Sequence, residues 1–278
     1  MLHVRRVESA EGLDAPELAP YRTMRWQNEQ RQQGIFVAEG EKVVRRLLES
    51  DYEIVSLLLP EKWFQEYSGV LEKRPEPRIE VFMAEKEILE KLTGFSFYQG
   101  VLAVARVPKA VTLEEIMERT ARANEPRLFV ALDEVSNAPN LGGLIRNCAA
   151  FDVDALILGE TCCSAWLRRS VRSSMGTIFK LPIVESASLR ASIELLKGAG
   201  VRVIAAHAHA NERRVSQADF TRDCVIILGS EGHGISPEVL DLCDEQVLIP
   251  MQNGVDSLNV GTAGAIFLFE ASRQRGKV

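Results

Sequence analysis

Six short apolar runs, alternating with stretches of helical spacing, govern what the second half of this chain can fold into. They are RLFVALD (127–133), DALILG (154–159), LPIVES (181–186), VRVIAAH (201–207), DCVIILG (223–229) and EQVLIP (245–250). Helical stretches separate or follow them at Leu141–Phe151, Trp166–Ser174, Leu189–Lys197, Pro237–Asp241 and Leu258–Arg273. A strand that is apolar at nearly every position must be covered on both faces. Alternation with helices achieves this by building a parallel sheet between two helical layers. The expectation is an α/β fold.

The residues before Pro108 alternate as well. Apolar positions 43, 44, 47 and 48 have helical spacing, IVSLLLP (54–60) and IEVFMA (79–84) read as strands, and GVLAVARV (100–107) as a third. Helices are expected at 61–70 and 86–92. A charged helical piece, LEEIMERTARA (113–123), lies between Pro108 and Pro126. The 278 residues therefore divide into a smaller α/β domain (1–107), a linker with a short helix (108–126) and the larger domain (127–278).

Composition narrows the class. Hydrophobic residues make up 46% and charged residues 26%, the profile of a globular protein. No apolar run approaches the roughly 18 residues of a membrane span, and the N-terminus lacks a signal-peptide core. Five cysteines without a CxxC pair point to reduced thiols in a cytoplasmic setting. The net charge of −6 means that any nucleic-acid contact needs a local basic face. Arg5, Arg6, Arg22, Arg25, Arg31, Lys42, Arg45 and Arg46 concentrate positive charge near the N-terminus, beside Trp26. A solvated face and an RNA-contact face both fit, since arginine binds phosphates and stacks on bases.

Three strand-to-helix loops carry the candidate chemistry, because such loops are where α/β proteins hold ligands. In DEVSNAPNLGGLIRNCAAF (133–151), Pro139 can start a helix that Asn140 caps, and Gly142-Gly143 permits close backbone approach. Arg146 is read as one turn into that helix, where a cation is disfavoured unless an anion is its partner. An ordinary surface arginine is the other reading. In ILGSEGHGISPEV (227–239), three glycines follow a strand, and Ser236-Pro237-Glu238 looks like a helix start. Glu231 has no capping task, and His233 is read as a loop histidine without a chemical role. The third loop follows an apolar strand at Val247–Ile249, stopped by Pro250, and enters the last helix through Ser257-Leu258-Asn259. Ser257 reads either as that helix's N-cap or as part of a ligand wall. The spacing His207-x-His209 lacks the further ligands of a metal site, and no Ser/His/Asp or Cys/His nucleophile arrangement is present. A dinucleotide enzyme is excluded because no strand–GxGxxG–helix unit occurs.

Taken in order, NLGGLIR (140–146), LGSEGHGIS (228–236) and IPMQNGVDSLNV (249–260) resemble the signature of the SPOUT RNA methyltransferases, in particular the SpoU (TrmH-like) branch. RRSVRSSMGTIFKLPIV (168–184) resembles the segment between the first two motifs in ribosomal-RNA-modifying members. FVAEGEKVVRRLLES (36–50), with FYQGVLAVARV (97–107), resembles their small ribosomal-protein-like substrate-binding domain. The chain departs from the pattern at Asn147, at Phe151-Asp152-Val153 and at Gly261.

The resemblance implies a parallel sheet with a C-terminal trefoil knot, a homodimer, and methylation of a ribose 2′-hydroxyl from S-adenosylmethionine. The implied substrate is ribosomal RNA, with transfer RNA or a non-catalytic RNA-binding assembly role as alternatives. It assigns Arg146 as the catalytic arginine, with Asn140, Glu231, Ser257 and Asn259 fixing the loops around it. Ala206, Gly229, Ile249, Met251, Ser257 and Leu258 would bind the cofactor. Arg22, Arg25, Lys42, Arg45, Arg168, Arg169 and Arg172 would contact RNA. No metal and no membrane partner is expected.

Overall fold

The computed structural model describes residues 1–7, 10–24, 27–94, 100–121, 125–208 and 213–278. Arg25, Trp26, His209 and the FYQ of 97–99 lie outside the described residues. In chain order the first elements are β1 (Leu2–Arg6), α1 (Ala19–Arg22), α2 (Gln27–Gln32), β2 (Ile35–Glu39), α3 (Glu41–Leu48), β3 (Ile54–Leu59), α4 (Glu61–Leu71), β4 (Ile79–Met83), α5 (Lys86–Thr93) and β5 (Leu102–Arg106). There follow α6 (Leu113–Arg119), β6 (Leu128–Leu132), α7 (Ala138–Ala150), β7 (Ala155–Leu158), α8 (Arg168–Ser173), β8 (Ile183–Glu185) and α9 (Leu189–Gly198). The last are β9 (Arg202–Ala206), β10 (Cys224–Leu228), α10 (Pro237–Leu240), β11 (Glu245–Val247) and α11 (Val260–Gln274).

Two compact units emerge. One contains Met1–Lys109 and Trp166–Phe179, the other Ala110–Ala165 and Lys180–Val278. The first is built on a five-stranded sheet ordered β1-β4-β3-β5-β2. β1, β4 and β3 run parallel, while β5 is antiparallel to both β3 and β2. β1 and β2 were not anticipated from the sequence. β2 is buried at all five positions, so it offers no alternation, and α3 follows after a single glycine.

The segment 166–179 joins this unit through particular contacts. Glu39, at the end of β2, is 4% exposed and accepts hydrogen bonds from Arg168 and Arg172 of α8. Trp166 and Phe179 pack with Phe36 and Tyr52, the Phe36–Trp166 and Tyr52–Phe179 ring centroids lying 5.1 and 5.3 Å apart. Arg46 donates to the Met175 carbonyl at 2.8 Å. A buried carboxylate is tolerated only when paired, and two arginines on one face of a short helix supply that pairing.

The second unit has a six-stranded sheet ordered β11-β9-β10-β6-β7-β8, parallel at every pairing. Alternation along β6 sends Phe129 and Ala131 into a core shared with Leu113 and Ile116 of α6 and Ile193 and Leu196 of α9. The helix expected within the linker is thus packed into this core. α7 packs against α11. A Cβ on Gly264 of α11 would lie 2.6 Å from Leu144 Cδ2 and 3.2 Å from Leu228 Cδ1, so glycine there lets α11 seat closely on α7 and β10. The Asn147 side chain donates to the Gly261 carbonyl at 2.8 Å, making the first motif departure a link between the two helices.

The expected strand at 247–249 is displaced. β11 ends at Val247, and Leu248 makes only an isolated bridge to Arg214. The chain leaves the sheet before Ile249 and is released toward the cavity described next.

Candidate active site

The carboxyl ends of β9, β10 and β11 surround a cavity of about 310 Å³, within the range of roughly 300–1,000 Å³ seen for small-molecule sites. Ala206, Gly229, Ile249, Met251, Ser257 and Leu258 all line it. These are the six residues that the resemblance assigns to the cofactor, and the fold brings them together from the end of β9 and the segments after β10 and β11.

The glycine loop that forms one wall is closed on itself. Ser230 and Gly234 exchange backbone hydrogen bonds of 2.8 and 3.0 Å, and the Ser230 hydroxyl accepts from His233 N at 3.1 Å. Gly229 is indispensable to that closure: a Cβ there would fall 2.1 Å from the Gly234 carbonyl carbon and 2.3 Å from Ile235 N. Asp133, buried at the end of β6, accepts from Ser236 N at 2.8 Å and anchors the loop's far end. Sequence reading passed over Asp133, although a carboxylate ending a buried strand is itself a signal of a backbone it must satisfy.

Asn140, Glu231 and Asn259 converge from the three motif loops. Glu231 Oε1 accepts from the Asn140 amide and, at 2.8 Å, from Asn259 Nδ2. Asn259 Nδ2 also reaches Asn140 Oδ1 at 3.2 Å. The orientation of Asn259 is fixed by its other task. Its Oδ1 caps α11 by accepting from Gly261 N and Thr262 N, so its Nδ2 is the end that faces Glu231.

Two capping assignments change as a result. α11 is capped by Asn259, not Ser257, which frees Ser257 to line the cavity. α7 begins at Ala138 with Asn137 as its cap, the Asn137 side chain accepting from Asn140 N at 3.1 Å. Asn140 is therefore inside the first turn, with its amide available to Glu231. Ser236 does occupy the cap position of α10, without a side-chain cap bond.

The earlier start of α7 also moves Arg146. It is the ninth residue of the helix, more than two turns in at 3.6 residues per turn, so the positive N-terminal field has decayed and does not select an anion there. Arg146 is exposed and has no hydrogen bond or ion pair among the described residues. The structure thus joins Asn140, Glu231 and Asn259 to one another without hydrogen-bonding any of them to Arg146.

The expected RNA-contact residues fall into two groups. Arg22 donates to the carbonyls of Leu13 and Ala15. Arg45 is engaged by Glu41 and Glu66 and lies over the Tyr67 ring. Arg168 and Arg172 hold Glu39. All four have partners within the fold, while the Arg45 and Arg172 side chains remain 43% and 60% exposed. Lys42 and Arg169 are exposed and have no partner among the described residues.

The cavity suits the expected cofactor. Its walls combine apolar side chains such as Leu228, Val247, Ile249 and Phe267 with the backbone of a glycine loop, which serves an adenosine. Among the described residues, its ionisable lining consists of Glu231, Asp256, His207 and His233, with no lysine or arginine. That balance favours a ligand carrying positive charge over a nucleoside triphosphate. No cysteine is among the described residues that line the cavity, and burial pushes Cys148 to about 12 and Cys162 and Cys224 to about 11. Among the described residues no cluster of His, Cys, Asp and Glu could hold a metal, and no helix is long and apolar enough to cross a membrane.

Comparison with known proteins agrees with this geometry. Residues 127–269 match the SpoU rRNA methylase family, and residues 21–103 match the MRM3-like substrate binding domain. An uncharacterized tRNA/rRNA methyltransferase of Mycobacterium bovis is 30% identical over 242 residues, covering 86% of this chain and 81% of its own. The 23S rRNA (guanosine-2′-O-)-methyltransferase RlmB of Acinetobacter baylyi is 31% identical over 239 residues, 85% of this chain and 96% of that one. The crystal structure of an AdoMet-bound rRNA methyltransferase from Sinorhizobium meliloti superposes with a TM-score of 0.81 at 25% identity, covering 97% of this chain and 98% of the other.

Proposed function

This chain belongs to the SpoU rRNA methylase family, and from that premise we propose that it transfers a methyl group from S-adenosylmethionine to a ribose 2′-hydroxyl of ribosomal RNA, acting in the cytoplasm. The observation that carries the reading is the convergence of all six nominated cofactor residues on one cavity beside the Asn140–Glu231–Asn259 cluster. The MRM3-like match in the first unit supports a dedicated RNA-binding domain.

When bound, S-adenosylmethionine supplies an electrophilic methyl on a sulfonium. The protein's part is to hold that methyl in line with the ribose oxygen, and alignment of this kind supplies much of the rate. The backbone around Gly229 and Leu258, with the side chains of Ile249 and Met251, would hold the adenosyl part. Glu231 and the two asparagines tie the three loops into one wall. A guanidinium has five donors and no acceptor, so Arg146 would hold the phosphate beside the target and polarise the 2′-hydroxyl, whose proton passes to that phosphate or to water.

The same reading includes a trefoil knot and a homodimer. The return of the chain from the edge strand β11 to α11, which is packed on α7, supports the first. The second is supported by Phe269 on α11, 52% exposed and in edge contact with Phe151.

The test is Arg146→Ala, assayed for cofactor binding by calorimetry and for methyl transfer in single turnover. The expected result is unchanged binding with transfer reduced at least about 100-fold, in the range that general acid–base and electrostatic groups contribute. Near-normal transfer would remove Arg146 from the mechanism.

A further inference from the structure

A second cavity, of about 530 Å³, adjoins the first and shares Ser230, Glu231, Gly232, His233 and Val260 with it. Its other walls come from the loop after β6, from Asn140 in the first turn of α7 and from Thr161 after β7. Among the described residues no lysine or arginine lines it, a lining that does not favour a phosphate.

Its unusual member is Glu134. This residue has φ +56°, in the left-handed region that is strained for most side-chain-bearing residues and that glycine or asparagine occupies more easily. Strain of this kind persists where the surroundings hold it, and it gathers at functional sites. Glu134 is only part-buried and forms no hydrogen bond or ion pair among the described residues, so neither stability nor a structural partner accounts for the carboxylate. The neighbouring carboxylate differs: Glu231 is already committed through Oε1 to two asparagine amides.

We propose that this second cavity receives the base of the target nucleotide and that Glu134 selects guanine. The inference rests on the ribose-methylation reading, because the base attached to a ribose beside the cofactor must occupy adjoining space. The selection follows from donor geometry. A carboxylate offers two parallel acceptors and no donor. Guanine presents two adjacent donors on its Watson–Crick edge, N1–H and the N2 amino group, and no other standard RNA base presents two side by side. Adenine, cytosine and uracil would each set a ring nitrogen or carbonyl acceptor against one carboxylate oxygen, leaving a repulsive contact in place of a hydrogen bond. The hydroxyls of Ser136 and Thr161, which also line the cavity, can donate to the guanine O6. Glu134 is thus a specificity-determining residue that acts on the base, not on the methyl.

The test uses the full-length protein, S-adenosylmethionine carrying a deuterated methyl, and ribosomal RNA purified from a strain lacking this gene. Digestion to nucleosides and mass spectrometry identify the labelled product, which is expected to be 2′-O-methylguanosine alone. A label on the ribose of another base would overturn the guanine assignment while leaving ribose methylation intact. No ribose label from the wild-type protein would sink both. Two variants separate recognition from folding. Glu134→Gly relieves the left-handed strain, so its melting temperature should equal or exceed wild type while kcat/KM for RNA falls roughly 10- to 100-fold, the scale of a lost bidentate base contact. Glu134→Gln, which keeps the shape but turns one acceptor into a donor, should fall by a similar factor with cofactor affinity unchanged. Wild-type kcat/KM in both variants would overturn the proposal. Transcripts of the mapped target carrying inosine, which lacks the N2 amino group, should be methylated more slowly by wild type and lose that disadvantage in Glu134→Gly.

Discussion

Asn259 performs two tasks with one amide group, and the tasks constrain each other. Its oxygen caps α11 and its nitrogen binds Glu231. Asn259→Ala should therefore cost about 1 kcal/mol from the cap, a drop of roughly 2–4 °C in melting temperature for a domain of this size, together with weaker cofactor binding. Asn259→Asp should keep the cap but set a carboxylate against Glu231, so its melting temperature should recover only in part, held down by like-charge repulsion, and its cofactor affinity should not recover. Thermal melts paired with calorimetry separate these effects. At Gly229 no such compromise exists. Gly229→Ala should destabilise by at least about 1–3 kcal/mol through overpacking, because the atoms met are backbone and cannot rotate away; urea denaturation measures it. The family resemblance groups Asn140, Glu231, Ser257 and Asn259 around Arg146, while residue type alone offers Asn140 and Ser257 as caps where the structure uses Asn137 and Asn259. Asn137 and Asn140, like Ser257 and Asn259, are competent capping residues within one turn of each other, and only the backbone path decides between them.

At the level of elements, the first unit is knit where α3 ends and β3 begins. Arg74, beyond α4, donates to the carbonyls of Leu48, Ser50 and Tyr52, and to Glu76, whose carboxylate accepts from Ile54 N. Both side chains are nearly inaccessible. Arg74→Met should cost about 3–5 kcal/mol, as expected when a buried ion loses its partner. Burial acts to raise the Glu76 carboxyl, but the hydrogen bonds from Arg74 and Ile54 outweigh it and hold it below its usual value. A carboxyl depressed in the folded state stabilises above the ordinary carboxylate range, about 4.3 for glutamate, and that contribution is lost as pH falls toward the folded value. Urea midpoints below that range should fall more steeply with acid in wild type than in Glu76→Gln. Helices and strands of this unit were legible wherever periodicity was clean. β2 was not, and neither was the allegiance of 166–179. Local spacing predicts a helix there, but the ion pairs to Glu39 and the aromatic contacts to Phe36 and Tyr52 are long-range facts.

For the whole molecule, family membership and an all-parallel sheet frame the account, and the self-association we propose rests on a surface feature. Phe269→Glu should convert a dimer to a monomer by light scattering and lower activity if the partner completes the site. An unchanged dimer would place the contact elsewhere. A knot has no signature in residue spacing, since it is a property of how the chain is threaded and not of any segment's propensity. The most direct test of the central claim is where the methyl group goes. Purified protein, deuterated S-adenosylmethionine and ribosomal RNA from a strain lacking the gene should yield one labelled nucleoside whose mass fragments carry the label on the ribose. A label found on a base, or no label from protein that still binds S-adenosylmethionine, would contradict the account.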